Sequence, residues 1–269
     1  MKKCATILFF SALFFLFSCN EGKGARSASS FENTIITADT IKICEKEYFT
    51  FEGDGKPTLK IDMRLPIVKL ANEKATERMD STLAIALFQE RTTLREACST
   101  FVEKEKKDFD EARNEYFNSS EEDILIGYFS RYHDINATAL NGCNRYISYF
   151  TMHEEYYGGA HPNTYISIVN FDPETGEQVT LDDIFIEGYE APLTQLLLAE
   201  LMGNVQANTM DELREKGFLF LDAEMFVPKN FFPEENGITF LYNRYDIAPY
   251  AYGEITLTID YEKLKEIMK

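Results

Sequence analysis

Beyond residue 36 the spacing of apolar residues first predicts extended structure. Four apolar side chains alternate strictly with polar ones and follow the turn Gly53-Asp54-Gly55, namely Leu59, Ile61, Met63 and Leu65. Strict alternation is typical of a half-buried strand, and a glycine-rich turn between two such stretches predicts a β-hairpin. We expect Pro66 to end the second strand.

After Pro66 the apolar residues recur every three or four positions, which is the period of amphipathic helices. One helix is predicted over residues 71–87 and, after a break near 91–95, a second helix that ends at Asn118. The charged run Glu103–Arg113 fills the positions between the apolar ones, so we interpret it as a solvated helix face and not as a binding patch. The first helix has an apolar stripe made of Ala71, Ala75, Met79, Leu83 and Leu87.

Strands are predicted again over residues 124–181, and short helices and strands follow, with a last helix over 261–268. Two pairs have the spacing of a capping box, which predicts the start of a helix: Thr180 with Asp183, and Thr209 with Glu212. This order of elements predicts an α+β fold with largely antiparallel sheets and two subdomains. We place their boundary near residues 121–123, which separates an N-terminal domain (37–123) from a C-terminal domain (124–269).

The first eighteen residues have the features of an export signal. Two lysines precede an uncharged stretch from Ala5 to Phe17. Thirteen helical residues rise only about 20 Å, which suits a signal-peptide core and is too short to span a bilayer. The following Ser18-Cys19 resembles the bacterial lipobox, so we predict a signal peptide over 1–18, lipidation of Cys19 and a flexible tether over 19–36. The alternative is an ordinary cleaved signal in which Cys19 is incidental.

Composition and charge exclude several classes of protein. Hydrophobic residues make up 45% of the 269 residues, which excludes a disordered chain. Loss of residues 1–18 would reduce the 27 basic residues by two lysines and leave the 45 acidic residues, for a net charge of −20. A protein this acidic has no basic face for nucleic acid. It is repelled by anionic lipid headgroups and attracts cationic partners.

The cysteines permit two interpretations. Apart from Cys19 and the signal peptide, the chain contains Cys44, Cys98 and Cys143, with no C-x-x-C pair. An oxidising envelope could produce one disulfide and one free thiol, or all three could be buried thiols. We favour buried thiols.

The three histidines do not form a known metal-binding motif. His153 and His161 could hold zinc together with Glu154 or Glu155, but no helical pair such as H-E-x-x-H is present. A turn histidine hydrogen-bonded to the backbone is the better interpretation, so we predict no metal and no cofactor. The chain also lacks a G-x-S-x-G elbow and a glycine-rich phosphate loop, and we therefore predict no catalytic residues.

Tyrosine is concentrated in two loop-like segments, 156–165 and 242–253, which also contain glycine and proline. Tyrosine offers a large, rigid surface with one hydroxyl, which is why recognition surfaces use it. The alternative is that these side chains only seal the ends of the sheet. We predict a ligand-binding surface that consists of Tyr156, Tyr157, His161, Asn163, Tyr245, Tyr250 and Tyr252.

The same segments resemble a known family. The stretch Tyr156–Tyr165, the motif Asn170–Asp172 with Thr175-Gly176, the run Thr180–Phe185 and the stretch Tyr245–Gly253 are similar to the RsiV-like C-terminal domain, a domain of unknown function. Residues 35–123 are more weakly similar to the N-terminal domain of PdaC-like peptidoglycan deacetylases. The resemblance implies a two-part α+β ectodomain that faces the cell wall.

Members of this family include an anti-sigma factor whose ectodomain binds lysozyme, and deacetylases with a separate catalytic domain. We recognise neither a sigma-binding segment with a spanning helix nor a deacetylase domain in this chain, so we expect neither regulated cleavage nor deacetylation. We expect instead a lipid-anchored envelope protein, periplasm-facing or surface-exposed, that binds a cationic protein such as lysozyme or a cell-wall glycan. The alternatives are a glycan-acting enzyme that uses His161 with an acidic partner, and a structural or assembly factor.

Overall fold

The computed structural model describes residues 36–48, 58–118, 130–142, 146–219 and 224–269. These stretches belong to one compact unit, Glu32–Lys269. Several predictions concern residues outside them: the signal peptide, the lipid on Cys19, the tether, the turn Gly53-Asp54-Gly55 and the boundary at 121–123. No helix in the described stretches combines the length and the apolar character needed to cross a bilayer.

Six strands form one sheet in which neighbouring strands follow the order of the sequence. All pairs are antiparallel except the pair of the second and third strands, which is parallel. The first two strands are antiparallel as predicted for a hairpin. The strands are β1 (Ile36–Tyr48), β2 (Thr58–Lys69), β3 (Arg131–Gly142), β4 (Tyr146–Tyr156), β5 (Asn163–Phe171) and β6 (Gln178–Val179).

Two helices lie between the parallel strands β2 and β3, which require a long crossover connection. They are α1 (Glu73–Phe88) and α2 (Leu94–Asn118), close to the predicted ranges. Both pack on one face of the sheet, and the predicted stripe of α1 is buried at Ala75, Met79 and Leu83. The same core contains apolar side chains of α2 and of the odd-numbered positions of the strands, including Cys98, Val102, Phe109, Leu59, Ile61, Met63, Ile135, Tyr149 and Val169.

The second half of the chain forms a separate hydrophobic core around a three-stranded antiparallel sheet. The capping box of Thr180 and Asp183 is present. At Thr209 the hydroxyl accepts from the Glu212 N–H, and the Glu212 carboxylate accepts from the Asn208 N–H, so the start of each of these two helices is capped. The elements are α3 (Leu181–Ile184), α4 (Glu190–Val205), α5 (Met210–Glu215), β7 (Phe231–Pro233), β8 (Gly237–Tyr242), β9 (Ile255–Asp260) and α6 (Tyr261–Leu264).

The two sheets meet along β5. On the edge of β5 that faces away from β4, asparagine side chains bond the backbone beyond the short pairing with β6. The Ile168 N–H donates to Asn230 Oδ1 at 3.0 Å, and the Ile166 N–H donates to Asn243 Oδ1 at 2.8 Å. Both amide groups donate in return to the Ile166 carbonyl. These bonds satisfy an edge that would otherwise expose unpaired backbone groups.

Pro66 does not end β2 as predicted, because the strand continues to Lys69. The pairing of β2 with β3 extends only to Arg64, so Pro66 lies where the strand has β1 as its one neighbour. A missing N–H is tolerated at such an edge position. The Pro66 carbonyl also accepts a hydrogen bond from the buried hydroxyl of Tyr149, at 3.0 Å.

The two hydrophobic cores divide between Phe171 and Val179, while the boundary predicted at 121–123 lies outside the described residues and stays a prediction. One further expectation differs from the structure. The last helix ends at Leu264 and not at residue 268. Beyond it the chain makes a turn and is then tied to the segment after α3, because the Ile186 N–H donates to the Ile267 carbonyl and Phe185 forms a β-bridge with Met268.

Cys98 is a buried free thiol on α2, and burial raises its pKa to about 12. This agrees with the interpretation that we favoured for the cysteines. Cys44 lies on β1 and Cys143 lies outside the described residues, so their predicted state remains a prediction.

Candidate functional site

Two loops bring part of the predicted tyrosine surface together. The first joins β4 to β5, where Gly158 and Gly159 have φ values of 91° and 109° that only glycine adopts readily. The second follows β8 and contains Arg244, Tyr245 and Tyr250. Residues 84 positions apart in sequence therefore become neighbours, since the Tyr245 hydroxyl lies 3.4 Å from Nε2 of His161.

We call His161, Arg244, Tyr245 and Tyr250 the aromatic surface. The His161 ring stacks on the Tyr250 ring, with centroids 3.9 Å apart and planes 24° from parallel. The guanidinium of Arg244 lies 4.5 Å from the centre of the Tyr250 ring, which is cation–π geometry, and also forms an ion pair of 2.9 Å with Glu254. His161 is exposed and Tyr245 is 50% exposed, so the surface is open to a ligand.

The second loop is fixed to the sheet and holds Tyr245 in an unusual conformation. Asn243 bonds the edge of β5, and its N–H donates to the Asp246 carboxylate at 2.7 Å. Burial raises the pKa of Asp246. Tyr245 has a φ of 69°, in the left-handed region that bulky residues rarely adopt. Backbone strain of this kind persists only where the surrounding structure enforces it, and it is frequent at ligand sites.

The other predicted residues lie apart from the aromatic surface or make structural contacts. The Tyr156 hydroxyl donates to the Gly159 carbonyl at 2.9 Å and its ring stacks on another tyrosine. Tyr252 donates to the Lys216 carbonyl and packs on Phe218. The prediction therefore combined two kinds of tyrosine, those that form a surface and those that close loops.

Asn163 and Tyr157 complete the set of predicted residues. Asn163 is exposed at the first position of β5, opposite Glu155 of β4. Tyr157 is 45% exposed, but its hydroxyl points toward α2 and lies 3.4 Å from Oε2 of Glu105. Burial and the nearby carboxylates raise the pKa of Tyr157, so it keeps its proton.

In the described part of the chain, His161 has no contact with the acidic partner that the enzyme alternative requires. Its Nδ1 lies 3.0 Å from the Pro162 carbonyl and its Nε2 faces the Tyr245 hydroxyl. Among the described residues, both ring nitrogens are therefore directed at neutral oxygens. The contact with Pro162 agrees with the interpretation of His161 as a turn histidine bonded to backbone.

The structure also shows a histidine cluster that the sequence did not predict. His133 on β3 is 1% exposed, and its Nδ1 lies 3.0 Å from Nε2 of His153 on β4. On its other side, Nε2 of His133 lies 3.2 Å from Oε2 of the buried Glu105 on α2. Oε2 of Glu155 lies 3.9 Å from Nε2 of His153. We use the name histidine cluster for His133, His153, Glu105 and Glu155.

Electrostatics define the protonation pattern of the histidine cluster. Burial, followed by the neighbouring His133, lowers the pKa of His153 to about 4, so this ring is neutral at pH 7. Burial alone would raise the pKa of Glu105, but hydrogen bonds from His133 and Tyr157 outweigh it and lower that pKa. An ionised carboxylate only accepts, so Nε2 of His133 donates to Glu105.

A pocket of about 170 Å³ lies next to the histidine cluster, with His153 in its wall. Leu87 and Phe88 of α1 form one side, and Thr151 and Tyr165 of the sheet form part of the other. The Thr151 hydroxyl oxygen is buried and has no hydrogen-bond partner within the described part of the chain. The cluster thus borders a cavity with an unsatisfied polar group.

The chain is similar to known proteins in sequence and in fold. Residues 182–262 match the DUF3298 family, a family of proteins of unknown function. The peptidoglycan-N-acetylmuramic acid deacetylase PdaC of Bacillus subtilis (strain 168) is 27% identical over 225 residues, which are 83% of this chain and 42% of PdaC. The chain thus spans less than half the length of this curated relative.

Two solved structures have a similar architecture. A member of the DUF3298 family from Bacteroides fragilis superposes with a TM-score of 0.74 at 26% identity, over 86% of this chain and 92% of its own length. A DUF3298 family protein from Pseudomonas aeruginosa PAO1 gives a TM-score of 0.55 at 18% identity, over 86% and 94%, which supports the fold alone. The α+β class predicted from the sequence is therefore confirmed, and residues 182–262 are similar to the DUF3298 family.

Proposed function

We propose that this protein is a non-enzymatic binding module of the bacterial cell envelope, lipid-anchored through Cys19, and that its aromatic surface binds the glycan of peptidoglycan. The observation that carries the proposal is the stack of the exposed His161 ring on the half-buried Tyr250 ring, with the exposed Tyr245 beside it. The sequence similarity to a peptidoglycan deacetylase supports an envelope role.

The chemistry of the aromatic surface suits a sugar. One face of a hexopyranose presents C–H groups that pack against an aromatic ring, while its hydroxyls and acetamido groups need donors and acceptors at the ring edge. Tyr245 offers a hydroxyl and Arg244 offers guanidinium N–H groups beside the stacked rings. The loop is held in place by Asn243, so little ordering entropy is lost when a ligand binds.

Calorimetry with soluble peptidoglycan fragments tests this proposal, with a neutral β-1,4-linked N-acetylglucosamine oligosaccharide as a second ligand. The informative variant is Tyr245→Gly, because glycine accepts the φ of 69° and removes only the side chain. We expect affinity to fall at least about tenfold, as for a central aromatic contact, while stability changes by less than about 1 kcal/mol.

Tyr165→Ala is the matched control, because Tyr165 is 51% exposed against 50% for Tyr245 and lies outside the aromatic surface. Its affinity for the fragments should equal that of the unchanged protein. If Tyr165→Ala and Tyr245→Gly lose affinity equally, or if neither ligand binds the unchanged protein, the aromatic surface is not a glycan site.

The acidic charge favours a cationic protein as a second candidate ligand. The formal net charge of −18 would accelerate association with a basic protein such as lysozyme, and the effect would weaken as salt is added. Likeness to the RsiV-like family points in the same direction. Calorimetry with lysozyme at low and at physiological salt tests this candidate, and Tyr245→Gly is measured beside the unchanged protein. If the variant binds lysozyme as tightly as the unchanged protein does, the protein ligand binds outside the aromatic surface.

The lipid anchor has its own test. Cells that express the protein are grown with a fatty-acid analogue that can be detected after purification. We expect the label on the mature protein and its recovery in the membrane fraction, because several acyl chains give firm anchoring. An unlabelled protein recovered in the cytosolic fraction would contradict both the anchor and the envelope location.

A further inference from the structure

We propose that His133, His153 and Glu155 form a binding site for a divalent transition-metal ion of the zinc type. The three side chains each offer one ligand atom, and these atoms lie within 4.8 Å of one another. Two imidazole nitrogens and one carboxylate are a ligand set that binds zinc in proteins and leaves a position open for water or substrate.

The distances between the ligand atoms are compatible with a tetrahedral site after small side-chain shifts. Zinc–nitrogen bonds of about 2.0–2.1 Å place two ligand nitrogens about 3.3 Å apart. Nδ1 of His133 and Nε2 of His153 are 3.0 Å apart, and Oε2 of Glu155 is 3.9 Å from that nitrogen of His153. The ligand atoms of His133 and Glu155 lie within 4.8 Å of each other, so side-chain shifts of about 1–1.5 Å would bring all three atoms to the required separation.

Glu105 supplies the outer contact that metal-binding histidines usually have. It accepts from Nε2 of His133, and in the neutral ring this leaves the lone pair on Nδ1, the atom that faces His153. A carboxylate behind the histidine orients the ring and makes it a better ligand. The Tyr157 hydroxyl bonds the same Glu105 oxygen and restrains it further.

The scaffold holds these groups rigidly and leaves them accessible. His133 and Glu155 are directly opposite each other in the β3–β4 pair, and the Phe101 ring packs edge-on against both histidines. The side chains of His153 and Glu155 remain 26% and 22% exposed. A metal ion can therefore reach the ligands from the side of His153 and its pocket, without any opening of the core.

This site differs from the zinc site considered from sequence, which combined His153 with His161. His161 contacts Tyr245 and Tyr250 in the aromatic surface. Glu154 faces the other side of β4, where its carboxylate accepts from the Tyr132 hydroxyl at 2.7 Å. The alternative is that the histidine cluster is a buried hydrogen-bonded network with no affinity for metal. Metal titration distinguishes this network from a metal site.

The experiment titrates the purified, tag-free protein with Zn²⁺ in a calorimeter, and with Co²⁺ while the visible absorption spectrum is recorded. We expect one ion per chain, a Co²⁺ spectrum with the intensity of low-coordinate geometry, and a rise in melting temperature with Zn²⁺. Glu155→Gln should weaken Zn²⁺ binding at least about tenfold, and Glu105→Gln about 10–100-fold as an outer contact. Circular dichroism confirms that each variant is folded.

Two matched controls make the result specific. Glu154→Gln removes the adjacent acid on the opposite face of β4, and His161→Gln removes the exposed histidine. Both should bind Zn²⁺ as the unchanged protein does. The proposal is overturned if the unchanged protein shows no stoichiometric binding, or if Glu154→Gln or His161→Gln weakens binding as much as Glu155→Gln.

Discussion

Replacing Gly176 by alanine would place a methyl group inside the backbone of α1. Gly176 closes the turn after β5, with a φ of 68°. A Cβ at this position would lie 2.0 Å from the carbonyl oxygen of Ala75. The turn is also tied to α1 by Arg78, which donates to the Thr175 carbonyl at 3.2 Å and forms an ion pair of 2.8 Å with Glu177.

The expected cost has two parts. A left-handed conformation costs a non-glycine residue about 1–2 kcal/mol. An ordinary carbon–oxygen contact is about 3.3 Å, so the turn and α1 would have to separate by roughly 1.3 Å. Ala75 and Met79 are each 1% exposed, and such overpacking of a core costs about 1–3 kcal/mol. We therefore expect Gly176→Ala to lower the free energy of unfolding by about 2–5 kcal/mol.

Gly188 provides the matched control, because its φ is 81° and a Cβ there would meet nothing within 4 Å. Gly188→Ala should lose only the conformational part, about 1–2 kcal/mol. Urea unfolding followed by circular dichroism measures both variants, and their difference of about 1–3 kcal/mol isolates the contact with Ala75. Equal losses in the two variants would refute the reasoning that the turn packs directly on the backbone of α1.

Three further predictions concern single side chains. Asp80 accepts from the Leu94 N–H at the start of α2, at 2.9 Å, and burial raises the pKa of its carboxyl. Asp80→Asn should keep this bond and be at least as stable as the unchanged protein at pH 7. The advantage of the variant should disappear at acidic pH, where the Asp80 carboxyl of the unchanged protein binds a proton. Asp80→Ala should be about 1 kcal/mol less stable than Asp80→Asn in urea unfolding, and equal stability would contradict the capping role. Asn230→Ala leaves the Ile168 N–H unpaired and should cost about 2–4 kcal/mol, with faster hydrogen exchange at that amide; unchanged exchange would argue against edge pairing. Cys98 should react with a thiol reagent at pH 8 only after unfolding, as located by peptide mapping, and rapid labelling of the native protein would contradict its burial.

Elements with a local signal were predictable from the sequence. The capping boxes that begin at Thr180 and Thr209 need only four consecutive residues, and both helices start where they predict. Another such signal was overlooked at Thr93 and Glu96, whose side chains bond each other's backbone N–H groups at the start of α2. Its recognition would have placed the start of that helix one residue beyond Thr93.

The pairing of distant strands was not predictable in the same way. β2 and β3 are adjacent and parallel, with Ile61 opposite His133, although α1 and α2 separate them in sequence. This pairing places a polar ring among apolar side chains, where it is satisfied by Glu105 from the crossover helix. Such a placement depends on the assembled sheet and the helix together, so no pattern within β3 alone indicates it.

β4 explains why the sequence identified one candidate site and missed the other. Successive residues of a strand point to opposite faces, so His153 and Glu155 face α2 while Glu154 does not. The sequence alone did not distinguish Glu154 from Glu155. It suggested His161 as the partner of His153 because the two histidines are only eight residues apart. The antiparallel register of β3 and β4 instead brings in His133 from 20 residues away. A shift of that register by one residue would send His133 to the opposite face, so the histidine cluster depends on strand register, which a single sequence specifies only through the whole sheet.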